Sequence, residues 1–336
     1  MRIDAILSDY DGTLCPTSSL RSQDNSSNSN NNRIPERLEK ILWNISEKID
    51  VCIVSSKDFD FLHHRTKFAK ILSCIMGIET LVLKGHKLEA LVAENRDDDN
   101  DDDSSNNNNI NNRTRTNISF AECKDKSQCI LSSQILSNNK AILQDKSQIL
   151  DSLADEISIN FKEITIERKF TSDNQILAGI TIDYRHLKDW QSYKRKTEPL
   201  LKEIIQRNMN SSLAAHHQHY VQIYSTHPFI DVYSVRCDKG LAFDATISEL
   251  ACFNNNNADD DNNTDDRRQN ILYLGDSEND NPAFKRADIS IGVNSDKRLN
   301  PELTCQYLVE FNQLSIFLKR LQYNDFVFSD KLFLNL

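Results

Sequence analysis

Two acids one residue apart, Asp9 and Asp11, close a short apolar run in the stretch ILSDYDGTLCP, Ile6 to Pro16. Ile3–Leu7 reads as a buried parallel strand ending at Ser8-Asp9, which puts both carboxylates just past its C-terminal end. In open α/β sheets that edge is where ligands bind. Two carboxylates there can divide labour: one attacks a phosphorus centre as nucleophile, and the other hands a proton to the leaving oxygen. Gly12 allows the tight turn that follows. The competing reading is an ordinary turn with aspartates at helix-capping positions.

A second cluster weighs against that plain turn. The stretch YLGDSENDNPAF ends another apolar strand, Asn270–Asp276, with Asp276, Glu278 and Asp280 inside five residues. Hard divalent cations take several carboxylate oxygens, and parallel strands can bring this group beside Asp9. Ser55 closes the strand DVCIVSS (Asp50–Ser56), where its hydroxyl can donate to a phosphate oxygen. Lys239, in VRCDKGLAFDA, opens a helix; it can clamp the same phosphate while neutralising the crowded acids. A serine cap and a solvated lysine are the plain alternatives. Their order along the chain after the paired acids is what joins them to the site.

The elements that must position these residues follow from periodicity. Pro35–Glu47 carries Leu38, Ile41, Leu42 and Ile45 at helical spacing, Asp50–Ser56 is a buried strand, and a helix is expected from Asp58 to about Met76. Near the other end come a helix over 239–252, the strand 270–276, a helix over 279–286, the strand ISIGV and a final helix near 301–322. This alternation predicts an α/β fold with a doubly wound, mainly parallel, Rossmann-like core. The middle of the chain changes pattern. A helix at about 128–160 precedes two strands, KEITIERKFT and LAGITIDYR, joined by a hairpin turn at 172–175. A helix over 188–208 and two short strands within 220–235 follow. That mixture reads as an α+β domain (85–232) inserted between the two parts of the core, 1–84 and 233–336.

Of the 336 residues 38% are apolar, enough for a sizeable core, but three Asn/Asp-rich segments (22–32, 97–117 and 253–269) read as solvated loops. They supply much of the acidic excess behind a formal charge of −10. An acidic chain with no basic stripe argues against nucleic acid as a partner. Eight cysteines with no C-x-x-C pair read as reduced thiols of a cytoplasmic protein. No apolar run approaches the ~18 residues of a membrane span. The three histidines at 216, 217 and 219 read as a loop tip.

DYDGTL, a strand-terminal serine, a lysine opening a helix and GDSENDNPAF occur in the order of the haloacid dehalogenase superfamily of phosphohydrolases, which the chain resembles over both core segments. The long insertion looks like the subclass with a large α/β cap. Within it the chain is similar to trehalose-6-phosphate phosphatases, through DYDGTLCP, DKGLA, and IERKFT and TIDYR in the cap. It departs from them at three places. Asp183 stands where they show His; Ser55-Ser56-Lys57 replaces Ser-Gly-Arg and looks more like mannosyl-3-phosphoglycerate phosphatases; GDSEND resembles the wider group of sugar and phosphoglycolate phosphatases.

The resemblance implies Asp9 as nucleophile, forming an aspartyl-phosphate, and Asp11 as general acid and then base. It implies Mg²⁺ held by Asp9, Asp11 through its carbonyl, Asp276 and Asp280, with Glu278 nearby. Ser55, Lys239 and the Gly12 amide would hold the phosphate, and Glu167, Lys169 and Arg185 of the cap would meet a small-molecule sugar phosphate. Trehalose 6-phosphate is the expected substrate. The other readings are a phosphatase for mannosyl-3-phosphoglycerate, phosphoglycolate or another small ester, a phosphomutase, and a non-catalytic sugar-phosphate sensor.

Overall fold

The computed structural model describes residues 1–16, 33–83, 129–131, 134–173, 175–210, 220–224, 227–256, 269–294 and 302–334. The loops expected at 22–32 and 97–117, the three-histidine tip and most of 253–269 lie outside these residues.

The centre of the large sheet is β1 (Ala5–Ser8), all four residues buried. It pairs in parallel with β2 (Asp50–Val54) on one side and with β10 (Ile271–Gly275) on the other. Ser8 is in register with Ile53 and with Leu274, so the three strands end level. That register brings Asp9, Ser55 and Asp276 to one edge of the sheet, although they lie far apart in sequence.

Outward from β10, β11 (Ile289–Asn294) and β12 (Tyr307–Glu310) continue the parallel ladder. Outward from β2, β3 (Ile71–Cys74) is parallel, whereas β4 (Glu79–Leu83) and β5 (Cys129–Leu131) are antiparallel. The eight strands run in the order β12-β11-β10-β1-β2-β3-β4-β5. Helix α1 (Glu36–Ser46) buries Leu38, Ile41, Leu42 and Ile45, the stripe its spacing predicts.

Three expectations are corrected here. The helix from Asp58 to Met76 is only α2 (Phe59–His63), and Ile71–Cys74 is a strand. Its four residues are all buried, and a short apolar run does not distinguish a helix from a central strand. The helix near 301–322 is β12 followed by α7 (Phe311–Tyr323). Residues 129–131, read as the start of the inserted unit's first helix, form β5 on the large sheet; that helix, α3, is Gln134–Asn160.

The second sheet is antiparallel, in the order β6 (Thr165–Phe170), β7 (Leu177–Asp183), β9 (Phe229–Tyr233) and β8 (Tyr220–Ile223). Leu150, Leu153, Ala154 and Ile157 of α3 pack with Ile180, Ile182, Ile230 and Val232 of the sheet and with Leu201, Ile204 and Ile205 of α4 (Trp190–Asn210). This core is separate from the clusters that line the large sheet. The chain returns to the large sheet through α5 (Lys239–Asn256), β10 and the short α6 (Asn281–Phe284). No helix among the described residues is long and apolar enough to cross a membrane.

Candidate active site

Asp9 leaves β1 with its amide bonded to the carbonyl of Leu274, 2.9 Å away, which fixes it against β10. Tyr10 turns the other way into the core and meets Phe61 edge-on at 5.6 Å. Alternation along the extended chain therefore leaves Asp9 and Asp11 on the same side. Gly12 follows at φ +83°, and a Cβ built there would lie 2.0 Å from Oδ2 of Asp276. The position demands glycine on both counts, left-handed backbone and close approach of a carboxylate. Thr13, fully buried, donates to Asp276 Oδ1 at 3.4 Å.

Carboxylate oxygens of Asp9, Asp276 and Asp280 all lie within 4.8 Å of one another. Glu278, in the same acidic stretch, is not one of the three. Asp238 caps α5 by accepting from the Leu241 amide, and this presents Lys239 in the first turn. The Lys239 ammonium, essentially fully buried, lies 2.9 Å from Asp9 and 2.7 Å from Asp280. Asp280 also accepts from the Tyr273 hydroxyl at 2.8 Å, and from the amides of Asp276 and Ser277 and the Ser277 hydroxyl, each at 3.1 Å. With five donors on its two oxygens, it anchors Lys239 and the turn that carries Asp276.

These acids are too close for all to ionise easily. Burial raises the Asp9 carboxyl to about 7, with Lys239 opposing and Asp280 and Asp11 adding to the rise. Burial, then Asp9 and Asp280, push Asp276 well above the usual carboxylate range. Burial would lower Lys239, but Asp280, Asp9 and Asp276 outweigh it and hold the ammonium charged. One cation facing three hard-oxygen donors is a site that fits a divalent metal ion.

Ser55 follows β2 and is buried. Its Oγ accepts from the Lys57 amide at 3.2 Å, leaving its proton for an incoming oxygen. Ile75 and Met76 both have left-handed backbone, φ 50° and 56°, unusual for a β-branched and a long side chain. Their amides bond the carbonyls of Lys57 and Ser55 at 2.9 Å, so this strain pins the Ser55–Lys57 turn.

The second sheet faces this turn. Glu167 and Lys169 project from one side of β6, as their spacing predicts, and both meet the core. The Lys57 ammonium bonds both oxygens of Glu167, at 2.8 and 2.7 Å, and lies 3.7 Å from Asp11 Oδ2. Lys169 donates to the carbonyl of Ser56 at 2.8 Å. Burial would raise Glu167, yet Lys169, Lys57 and Arg185 outweigh it and hold its carboxyl at about 2. Arg185 rests over the Phe229 ring, 4.8 Å from its centroid, with Nε and Nη2 both on Asp183 Oδ2 at 2.9 and 2.7 Å. Tyr184, the residue between them, is instead buried in the core of the second sheet. Burial lowers the His227 imidazole, with Glu278 opposing the shift and Lys239 adding to it.

Three contributors escaped the sequence reading. In the sequence Thr13 stands only inside a motif, and Lys57 only as a departure from one. Tyr273 carried a usable signal, because a hydroxyl on a wholly buried strand needs a partner.

The fold is thus a mainly parallel eight-stranded sheet with a four-stranded antiparallel sheet that meets it at the Ser55–Lys57 turn. Neither a protein-family model nor a curated protein sequence matches the chain. Among solved structures, it is similar to a haloacid dehalogenase-like hydrolase from Bacteroides thetaiotaomicron, with a TM-score of 0.51 and 10% identity over 95% of this chain and all of that one. It is also similar to the C-terminal domain of C. albicans trehalose-6-phosphate phosphatase (TM-score 0.55, 16% identity, covering 95% of this chain and 92% of that one). A trehalose-6-phosphate phosphatase related protein gives 0.52 and 14%, covering 95% and 97%. At these identities the likeness is one of fold.

Proposed function

We propose that the protein is a magnesium-dependent phosphomonoester hydrolase that works through an aspartyl-phosphate, with trehalose 6-phosphate as its substrate. The observation that carries this reading is the packing of Asp9, Asp276 and Asp280 within 4.8 Å around a single buried ammonium, Lys239. An oxygen of Asp9 bonds to phosphorus while the ester P–O bond breaks and the leaving oxygen takes a proton from Asp11. Water then attacks the phosphorus, gives its proton to Asp11 and frees Asp9 with release of phosphate. Ser55 and Lys239 hold the phosphoryl oxygens in line for both steps. Asp9 and Asp276 are the best candidates for direct metal ligands, because the oxygens of Asp280 already serve five donors. A bound Mg²⁺ supplies positive charge that offsets repulsion between Asp9 and the phosphate dianion.

The charges where the inserted unit meets the core favour a neutral sugar as leaving group. Lys57, Lys169 and Arg185 are matched by Glu167, Asp183 and Asp11, so little positive charge remains for a second anion. The Ser55-Ser56-Lys57 sequence favours the other candidate, mannosyl-3-phosphoglycerate. The test is phosphate release from trehalose 6-phosphate, mannosyl-3-phosphoglycerate, glucosyl-3-phosphoglycerate, phosphoglycolate and hexose phosphates, each with Mg²⁺ and with EDTA. Metal-dependent release from trehalose 6-phosphate alone is the expected result. Preference for another ester would keep the chemistry and discard the sugar. Isomerisation without free phosphate would make the protein a mutase, and no turnover of any ester would overturn the hydrolase.

A further inference from the structure

Lys57 is held more closely than a surface charge. Its ammonium lies 5.0 Å from the centroid of Phe61, the ring that meets Tyr10 between the two acids. It bonds both oxygens of Glu167 and stands 3.7 Å from Asp11, an ion-pair distance longer than a hydrogen bond. Its carbonyl accepts from the Ile75 amide, and the Ser55 carbonyl two residues earlier accepts from the Met76 amide. On the other side, β6 and the turn after it touch the core at three successive places. Glu167 meets Lys57, Lys169 meets the Ser56 carbonyl, and the amide and hydroxyl of Ser172 meet Glu79 at 3.0 and 2.6 Å. A salt bridge that merely joined two bodies would have no need of Asp11 beside it.

We propose that Lys57 is a positioning residue for Asp11 and that Glu167 seats it. With β6 against the core, Glu167 fixes the ammonium, and the fixed ammonium sets the direction of the Asp11 carboxylate toward the leaving oxygen. Proton delivery is thereby tied to the seating of the inserted unit. This rests on the hydrolase reading, in which Asp11 protonates the leaving group.

The test compares two leaving groups. A sugar oxygen needs a proton to depart, whereas p-nitrophenolate does not. Lys57→Met should lower kcat/KM, which reports only the steps through departure of the leaving group, by about 100-fold for the sugar phosphate hydrolysed fastest in the panel above, the size of a misplaced acid. With p-nitrophenyl phosphate the loss should stay below about 5-fold. Lys57→Arg should restore most of the lost rate, and Glu167→Gln should show the same ordering of the two substrates. Equal losses on both esters, or none, would overturn the proposal. Hydrogen exchange over 55–58 and 165–171 needs no turnover. Lys57→Met and Glu167→Gln should each speed exchange in both segments, with the double variant no faster than either. Additive acceleration would overturn the seating. A wild-type chain that releases no phosphate would sink the hydrolase reading, while exchange would still decide whether Glu167 seats Lys57.

Discussion

Without a divalent cation the protein should lose stability as the pH rises, and Asp9 sets the size of the loss. Burial, opposed by Lys239, raises its carboxyl from 3.8 to about 7 in the metal-free site. A group whose folded value lies above its unfolded one stabilises fully below the unfolded value and loses that stabilisation as pH climbs through the folded value. The window therefore runs from about pH 4 to about pH 7. The whole difference is on the order of 4 kcal/mol, of which roughly 2–3 kcal/mol falls between pH 5 and pH 8. Asp9→Asn removes the titration and keeps the shape, so the gap between wild type and variant reports Asp9 together with the part of the Asp276 shift that Asp9 causes. Urea unfolding followed by far-ultraviolet circular dichroism in EDTA, at both pH values, measures that gap. In excess Mg²⁺ the wild type should regain about 2.7 kcal/mol at a hundredfold excess over Kd. The gain should be larger at pH 8, because the ligands bind the ion only when deprotonated. Wild type and Asp9→Asn tracking each other within about 0.5 kcal/mol in EDTA, a usual surface-substitution scatter, would refute the reasoning. Equal stabilisation by Mg²⁺ at both pH values would refute it too.

Asp9→Asn should also abolish phosphate release while its circular dichroism stays that of the wild type; retained release would remove Asp9 as nucleophile. Gly12→Ala forces a left-handed alanine and a Cβ onto Asp276. It should cost about 1–3 kcal/mol and weaken the rise in Tm with added Mg²⁺, and an undiminished rise would contradict the close approach. Tyr273→Phe removes one donor from buried Asp280 and should cost about 1 kcal/mol by urea unfolding; a neutral result would show the hydroxyl to be idle. Asp183→Ala releases the Arg185 guanidinium from its carboxylate. It should shift kcat/KM by about tenfold toward leaving groups that bear a carboxylate, the equivalent of one charge-assisted hydrogen bond. An unchanged preference would separate Asp183 from specificity.

Residues at strand ends were the easiest to read. Asp9, Ser55 and Asp276 each follow a short apolar run, and the level register of β1, β2 and β10 gathers them as a parallel sheet requires. Lys239 was legible through its place at a helix start. Lys57 was not, because its function depends on Glu167, 110 positions away, and sequence spacing carries no trace of that contact. In the fold, the misreadings share one cause. Ile71–Cys74, Cys129–Leu131 and Tyr307–Glu310 are strands of three or four residues next to longer apolar stretches, too short to show a period of their own. Asp183 looked like a departure from a pattern; the structure gives it the task of holding Arg185.

The central position of β1 has a consequence for the order of events during folding. Its two neighbours are β2, about 45 residues along the chain, and β10, more than 260 residues along. Closing the second pairing needs the whole inserted unit to be gathered or looped out first, and contacts of such separation form late. Until then Asp9 lacks Lys239 and the Asp276 turn, and one flank of the strand lies open to pairing with another chain. Assembly of the acidic cluster and protection of the sheet from self-association are thus the same event, completed when a single strand arrives.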